Sequence, residues 1–116
     1  VLDIGCGLTK PYKPYLAKLG EYVGVDIKGG DGLVKADACN LPFGNKEFGY
    51  IWMAETLEHG KGAQKAVDEA KRVGVHGAIT FSTPANPSFK FDDDHKEVKL
   101  KEKYLVNQEG NGIILW

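Results

Sequence analysis

Residues 1–10 read VLDIGCGLTK, a short apolar run that breaks into two glycines, Gly5 and Gly7, with one residue between them. An apolar strand that closes on a glycine turn can bring backbone N–H groups close to a bound cofactor, because only glycine tolerates both the positive φ and the near approach. Whether the turn has that meaning depends on the rest of the chain, and in particular on whether strands and helices alternate along it.

They do alternate. Val1 to Ile4 reads as a buried strand, and Pro11 to Leu19 as the helix after it, with Tyr12, Tyr15, Leu16 and Leu19 at helical spacing and Pro11 in the first turn. Tyr22 to Asp26 reads as a second strand closing on an acid, GGDG at 29–32 as a loop, and Leu33 to Ala36 as a third strand. Tyr50 to Met53 is a fourth strand, with Trp52 expected to pack on a helix. Lys61 to Val73 carries Ala63, Ala66, Val67 and Ala70 on one face, which predicts a helix stopped by Gly74. Gly77 to Ser82 reads as a fifth strand, followed by a loop with Pro84, Pro87 and the acids Asp92 to Asp94. Lys99 to Gln108 reads as a helix through Leu100, Tyr104 and Leu105, and Ile113 to Trp116 as a final strand. This order predicts an α/β fold: a Rossmann-like, doubly wound, mostly parallel sheet with helices on both faces and its ligand at the carboxyl ends of the strands.

The bulk properties narrow the class. A chain of 116 residues fits a single domain, 1–116, and 42% hydrophobic with 27% charged residues is a globular composition rather than a disordered one. No apolar run approaches the roughly 18 residues of a membrane span and no secretion signal opens the sequence, so the expected location is cytoplasmic, with no membrane partner. A net charge of −1 offers no protein-wide field for a nucleic acid. The two cysteines, Cys6 and Cys39, have neither metal-finger nor C-x-x-C spacing and are expected to be reduced thiols.

The turn itself discriminates among cofactors. G-x-G-x-x-G, the dinucleotide fingerprint, would need a third glycine where Lys10 stands, and the Gly-Lys-Ser/Thr of a phosphate loop is missing from GCGLTKPY. An acid before the turn, Asp3, suits a cationic ligand and would repel a pyrophosphate.

With these residues the sequence resembles the class I S-adenosylmethionine-dependent methyltransferases, and specifically a methyltransferase type 11-like domain, over nearly its whole length. VLDIGCG, KADACNLPF, FGYIWMAETLEH and EAKRVGVHGAITFSTP look like that family's motifs in order, with Asp26 closing the second strand 19 residues beyond Gly7. The resemblance implies S-adenosyl-L-methionine as cofactor. It also implies contacts from Asp3, Gly5, Cys6 and Gly7 at the turn, Asp26 on the ribose hydroxyls with Ile27 beside it, Asp37 and Ala38 on the adenine, and Ala54 at the end of the fourth strand. Three positions depart from the family's pattern: Thr9 in place of a third glycine, Gly49 in place of an acid after Phe48, and RVGVHG in place of a segment ending Pro-Gly-Gly.

ETLEH at 55–59 comes after a strand end, where a methyl acceptor would arrive. His59 is expected to act as base, with Glu55 orienting it or the acceptor. Glu55, Glu58 and His59, with a distant His95, also suit a divalent ion. The ubiquinone-pathway O-methyltransferases and the small-RNA 2′-O-methyltransferases show a similar E-x-x-E-H pattern, in which a metal would acidify acceptor hydroxyls. The preferred reading assigns no metal, takes His95 as a loop residue and His76 as a turn residue, and lets Phe89 and Phe91 line the acceptor pocket. Lys96, Lys99, Lys101 and Lys103 read as a solvated helix face.

The expected activity is methyl transfer to an oxygen, nitrogen or carbon nucleophile of a small molecule. Alternatives from other classes are a cofactor-binding module without turnover, an RNA 2′-O-methyltransferase with a metal-assisted site, and a nicotinamide-dependent oxidoreductase. A sheet that starts at its first strand and stops in its sixth predicts a fold reduced at both termini, without a closing antiparallel hairpin.

Overall fold

β1 (Leu2–Ile4) is a fully buried strand, and the sheet grows outward from it. The structure is a computed structural model of the 116-residue chain and describes every residue except Lys61, Asp92 and Asp93, with Phe91 described by its backbone alone. β1 pairs in parallel with β2 (Val23–Asp26) on one side and with β4 (Phe48–Ala54) on the other. Beyond β2 lies β3 (Leu33–Lys35), and beyond β4 lies β5 (Gly74–Ser82), both parallel. β7 (Asn111–Leu115) then runs antiparallel to β5 and pairs with β6 (Leu105–Val106) at the edge. The strand order is β3-β2-β1-β4-β5-β7-β6. Chain order reverses at the β1/β4 junction, so the connections leave these two strands in opposite directions and open a crevice at their carboxyl ends.

Alternation along the strands assigns the two faces. Ile51 and Met53 point with Leu2, Ile4, Ile79, Phe81 and Ile114 toward α2 (Ala63–Val73), which buries Ala66, Val67, Ala70 and Val73 against them. Phe81 has no exposed surface and fits only because Gly112 faces it: a Cβ there would lie 2.3 Å from the ring. On the other face Trp52 meets the edge of Tyr12 at 5.3 Å, at the start of α1 (Lys13–Leu16). Among the described residues no helix is long and apolar enough to cross a membrane.

Several expectations need correction. The helix predicted over Pro11 to Leu19 is a single turn followed by a 3-10 turn at Ala17–Leu19, because only Leu16 is buried while Tyr15 is 70% and Leu19 55% exposed. α2 does stop at Gly74, whose amide donates to Ala70 O, but Gly74 is extended, φ −117° and ψ 137°, and opens β5 directly; a Cβ there would sit 2.0 Å from Ile51. Lys46 Nζ adds to this end of α2 by donating to Lys71 O in its last turn at 2.7 Å and to Gly74 O just beyond it at 3.0 Å. His76 lies on β5, its ring 6.0 Å from that of Tyr50, rather than in a turn. No helix forms over Lys99 to Gln108. The side chain of Asn107 accepts from the amides of Glu109 and Asn111, and Gly110 turns at φ 84°, so this stretch closes a β6–β7 hairpin where the sequence predicts none.

Candidate functional site

The carboxyl ends of β1, β2, β3 and β4 converge on the glycine turn. Gly5 and Gly7 take φ 72° and 68°, the left-handed region that side chains resist. The amides of Gly5 and Cys6 donate to Val25 O at 2.8 and 3.1 Å, tying the turn to β2. Asp26 then receives Gly7 N on Oδ2 at 3.1 Å and Lys28 N on Oδ1 at 3.0 Å. Each carboxylate oxygen therefore holds one backbone amide and keeps lone-pair capacity for a ligand hydroxyl. At Gly7 the space a Cβ would enter is open to 4 Å, whereas at Gly5 a Cβ would lie 2.3 Å from the hydroxyl of Thr56. Thr56, which donates to Ala54 O at 3.1 Å, closes the turn from the β4 side.

The other expected cofactor residues surround this turn. Ile27 extends into solvent past β2, 63% exposed, and Ala54 is buried at the end of β4. Asp37 begins the loop after β3, where its Oδ1 accepts from Cys39 N at 2.9 Å, and Ala38 is half-buried. Asp3 is buried and accepts from the Tyr22 hydroxyl at 2.6 Å, so its carboxylate faces β2 from within the sheet. Burial raises the pKa of Asp3, and burial followed by Asp3 raises that of Tyr22. Cys6 is buried and Cys39 half-buried, both free; burial pushes each thiol up, with Asp3 adding to it at Cys6 and Asp37 at Cys39. The open cradle at Gly7, the lone pairs of Asp26 and the carboxylate of Asp37 fit a nucleoside with a ribose and an exocyclic amine.

A second group of side chains comes after β4. Glu55 is a non-glycine residue at φ 51°, held there by its amide on Thr80 O at 2.9 Å. Its carboxylate accepts from Ser82 Oγ at 2.7 Å and Thr80 Oγ1 at 3.4 Å, so the end of β5 fixes its orientation. Glu58 and His59 lie on the 3-10 turn Leu57–His59. Glu58 has no exposed surface and neither of its oxygens has a hydrogen-bond partner among the described residues. Burial first, and the neighbouring Glu55 carboxyl second, push its pKa up to about 8. The amide of Lys96 donates to Glu58 O at 2.9 Å and draws the 95–96 segment against this turn.

The consequence is a cluster divided differently from the sequence expectation. Glu58, His59 and His95 each bring one ligand-type atom to within 4.8 Å of the others. His95, a loop residue by sequence, has its ring 4.9 Å from His59 and 5.4 Å from Phe89. Glu55, expected to orient His59 or the acceptor, has its carboxylate bonded to Ser82 and Thr80 at the end of β5. Phe89 thus lies beside the cluster, whereas the Phe91 side chain, Asp92 and Asp93 fall outside the described residues. Thr56, Thr80 and Ser82 do not stand out in the sequence; the only signal is the polar residues alternating with Phe81 in TFS at the end of a strand.

A family profile described as "Methyltransferase domain" matches residues 2–81. An uncharacterised protein of Methanocaldococcus jannaschii is 32% identical over 109 residues, an alignment covering 89% of this chain and 53% of that protein. The chain therefore spans about half the length of that relative. Among solved structures, a SAM-dependent methyltransferase from Archaeoglobus fulgidus superposes with a TM-score of 0.67 at 21% identity, covering 86% of this chain and 54% of its own. One from Aquifex aeolicus superposes with a TM-score of 0.66 at 18% identity, covering 98% and 79%. At these identities the structural likeness speaks for the fold.

Proposed function

The chain belongs to the S-adenosylmethionine-dependent methyltransferase family, and from that premise we propose that residues 1–116 act as one domain that transfers the cofactor's methyl group to an oxygen, nitrogen or carbon nucleophile of a small molecule in the cytoplasm. The observation that carries the reading is Asp26, anchored on the turn through Gly7 N at 3.1 Å with both oxygens still able to accept. In this reading Asp26 takes the ribose hydroxyls, Asp37 and the Ala38 amide take the adenine, and the turn from Asp3 to Gly7 with Ala54 and Ile27 lines the rest. S-adenosylmethionine supplies a methyl group already activated by its sulfonium, so the protein's contribution is alignment and exclusion of water. His59 accepts the acceptor's proton where one is lost, and Glu55, fixed by Ser82 and Thr80, orients the incoming group.

Calorimetric titration with S-adenosylmethionine and S-adenosylhomocysteine tests this. Asp26→Ala removes a charge-assisted contact of about 1.5–3 kcal/mol, so affinity should fall roughly tenfold to a hundredfold. A folded wild-type chain that binds neither ligand would overturn the reading.

A second reading, metal-assisted transfer to a hydroxyl such as an RNA 2′-hydroxyl, is favoured by one observation: the Glu58, His59 and His95 atoms gathered within 4.8 Å. Two imidazoles and a carboxylate suit a first-row divalent ion. Titration with Co²⁺, followed by its visible absorption, should give saturable binding that Glu58→Gln weakens at least tenfold. Equal uptake by the variant would exclude this ligand set.

A further inference from the structure

Next to the Glu58, His59 and His95 cluster lies a cavity of about 550 Å³ whose walls come from the two segments that build the cluster and from the first turn of α2. Leu57 and Gly60 line it on one side, Lys96, Val98 and Lys99 on another, and Lys65 reaches in from α2. The bond from Lys96 N to Glu58 O, at 2.9 Å, fixes the two walls together. Leu57 and Lys96 in its lining are the chain neighbours of Glu58 and His95.

Its charge is unbalanced. The ammonium groups of Lys65, Lys96 and Lys99 make no ion pair or hydrogen bond with any described residue, and Glu97 is the acid in the wall. Gln64, also in the lining, donates to Asp68 Oδ1 at 2.9 Å and to Glu102 Oε1 at 3.3 Å, and Glu102 also pairs with Lys71. Three lysines against one glutamate in the lining bias the space toward an anion. Buried Val98 and Leu57 give the same space an apolar floor.

On the methyl-transfer reading above, we propose that this cavity holds the phosphate of a phosphorylated small-molecule acceptor, placing its nucleophile toward Glu58, His59 and His95. An open cavity of this volume accommodates a small phosphomonoester. A nucleic acid backbone needs an extended basic stripe, which Glu97 and the exposed Asp94 interrupt.

The test is an amide NMR titration of the isotope-labelled chain with glycerol 3-phosphate, with glycerol, and with a short oligoribonucleotide lacking terminal phosphates. The expected result is saturable shifts at Gly60, Lys65, Lys96 and Val98 with glycerol 3-phosphate only, reduced at least tenfold in affinity in the triple variant Lys65→Gln, Lys96→Gln, Lys99→Gln. The paired control Lys101→Gln, Lys103→Gln should leave them intact. Unchanged phosphate affinity in the triple variant, or tighter saturation of the same amides by the oligoribonucleotide, would overturn the proposal. Titration of S-adenosylhomocysteine into the same samples keeps the two readings apart: its failure with wild type counts against methyl transfer, while loss of phosphate binding alone counts against the cavity.

Discussion

At the scale of single residues, the glycine turn works because two different constraints meet at Gly5. Its φ of 72° excludes most side chains, and the Thr56 hydroxyl occupies the place where a Cβ would go. Gly5→Ala therefore incurs a left-handed backbone penalty of about 1–2 kcal/mol and a steric one on top of it. Adding Thr56→Ala relieves the second but leaves the first, so the double variant should recover part, but not all, of the S-adenosylhomocysteine affinity that Gly5→Ala loses. Full recovery would mean that the conformation of Gly5 is irrelevant to the site. The glycines are legible in the sequence because the requirement is local: a strand, a turn and a positive φ lie within seven residues. Thr56 and Ser82 are not, because each acts on a partner far away in the chain, on Gly5 and on Glu55. The gathering of Glu58 and His59 with the distant His95 is hidden for the same reason. It depends on the 95–96 segment returning to this turn, where the Lys96 amide donates to Glu58 O at 2.9 Å.

At the scale of elements, β1 is readable as an apolar run because it is buried at every position, and the carboxyl halves of β4 and β5 are readable because burial concentrates there. The C-terminal hairpin is not, since Leu100, Tyr104 and Leu105 occur at spacings that suit a helix equally well. Asn107 and Gly110 decide the contest by satisfying a turn, and the Tyr104 ring finds Phe81 at 5.0 Å. The loop between β3 and β4 has a different organiser. Arg72 on α2 donates to Phe43 O at 2.7 Å, to Leu41 O at 3.1 Å and to Asn45 Oδ1 at 3.1 Å, while pairing with Glu69. A planar fork serving two carbonyls at once is not replaced by an ammonium. Arg72→Lys should lower stability by about 1.5–3 kcal/mol, read from urea midpoints, and raise amide hydrogen exchange selectively over residues 41–47. Loss of stability without that local change in exchange would show that the guanidinium matters to α2 alone.

At the scale of the whole molecule, the buried carboxyl of Glu58 ties the fold's stability to pH. Its folded pKa, raised to about 8 from an ordinary value of 4.5, means that the native state keeps a proton which the unfolded chain has already released. The sign comes from linkage: where the folded state binds more protons, stability falls as pH rises. The contribution is complete below about pH 4.5 and is lost progressively on the way to about pH 8, at up to roughly 1.4 kcal/mol per pH unit. Asp3, raised by burial as well, acts in the same direction. Urea unfolding of chelator-treated protein across this range should therefore give a midpoint that declines steadily toward neutral pH, and Glu58→Gln should flatten the decline because an amide keeps the shape without the ionisation. A slope equal in the variant and the wild type would move the effect to other groups, Asp3 first, and Asp3→Asn is the comparison that would then separate them.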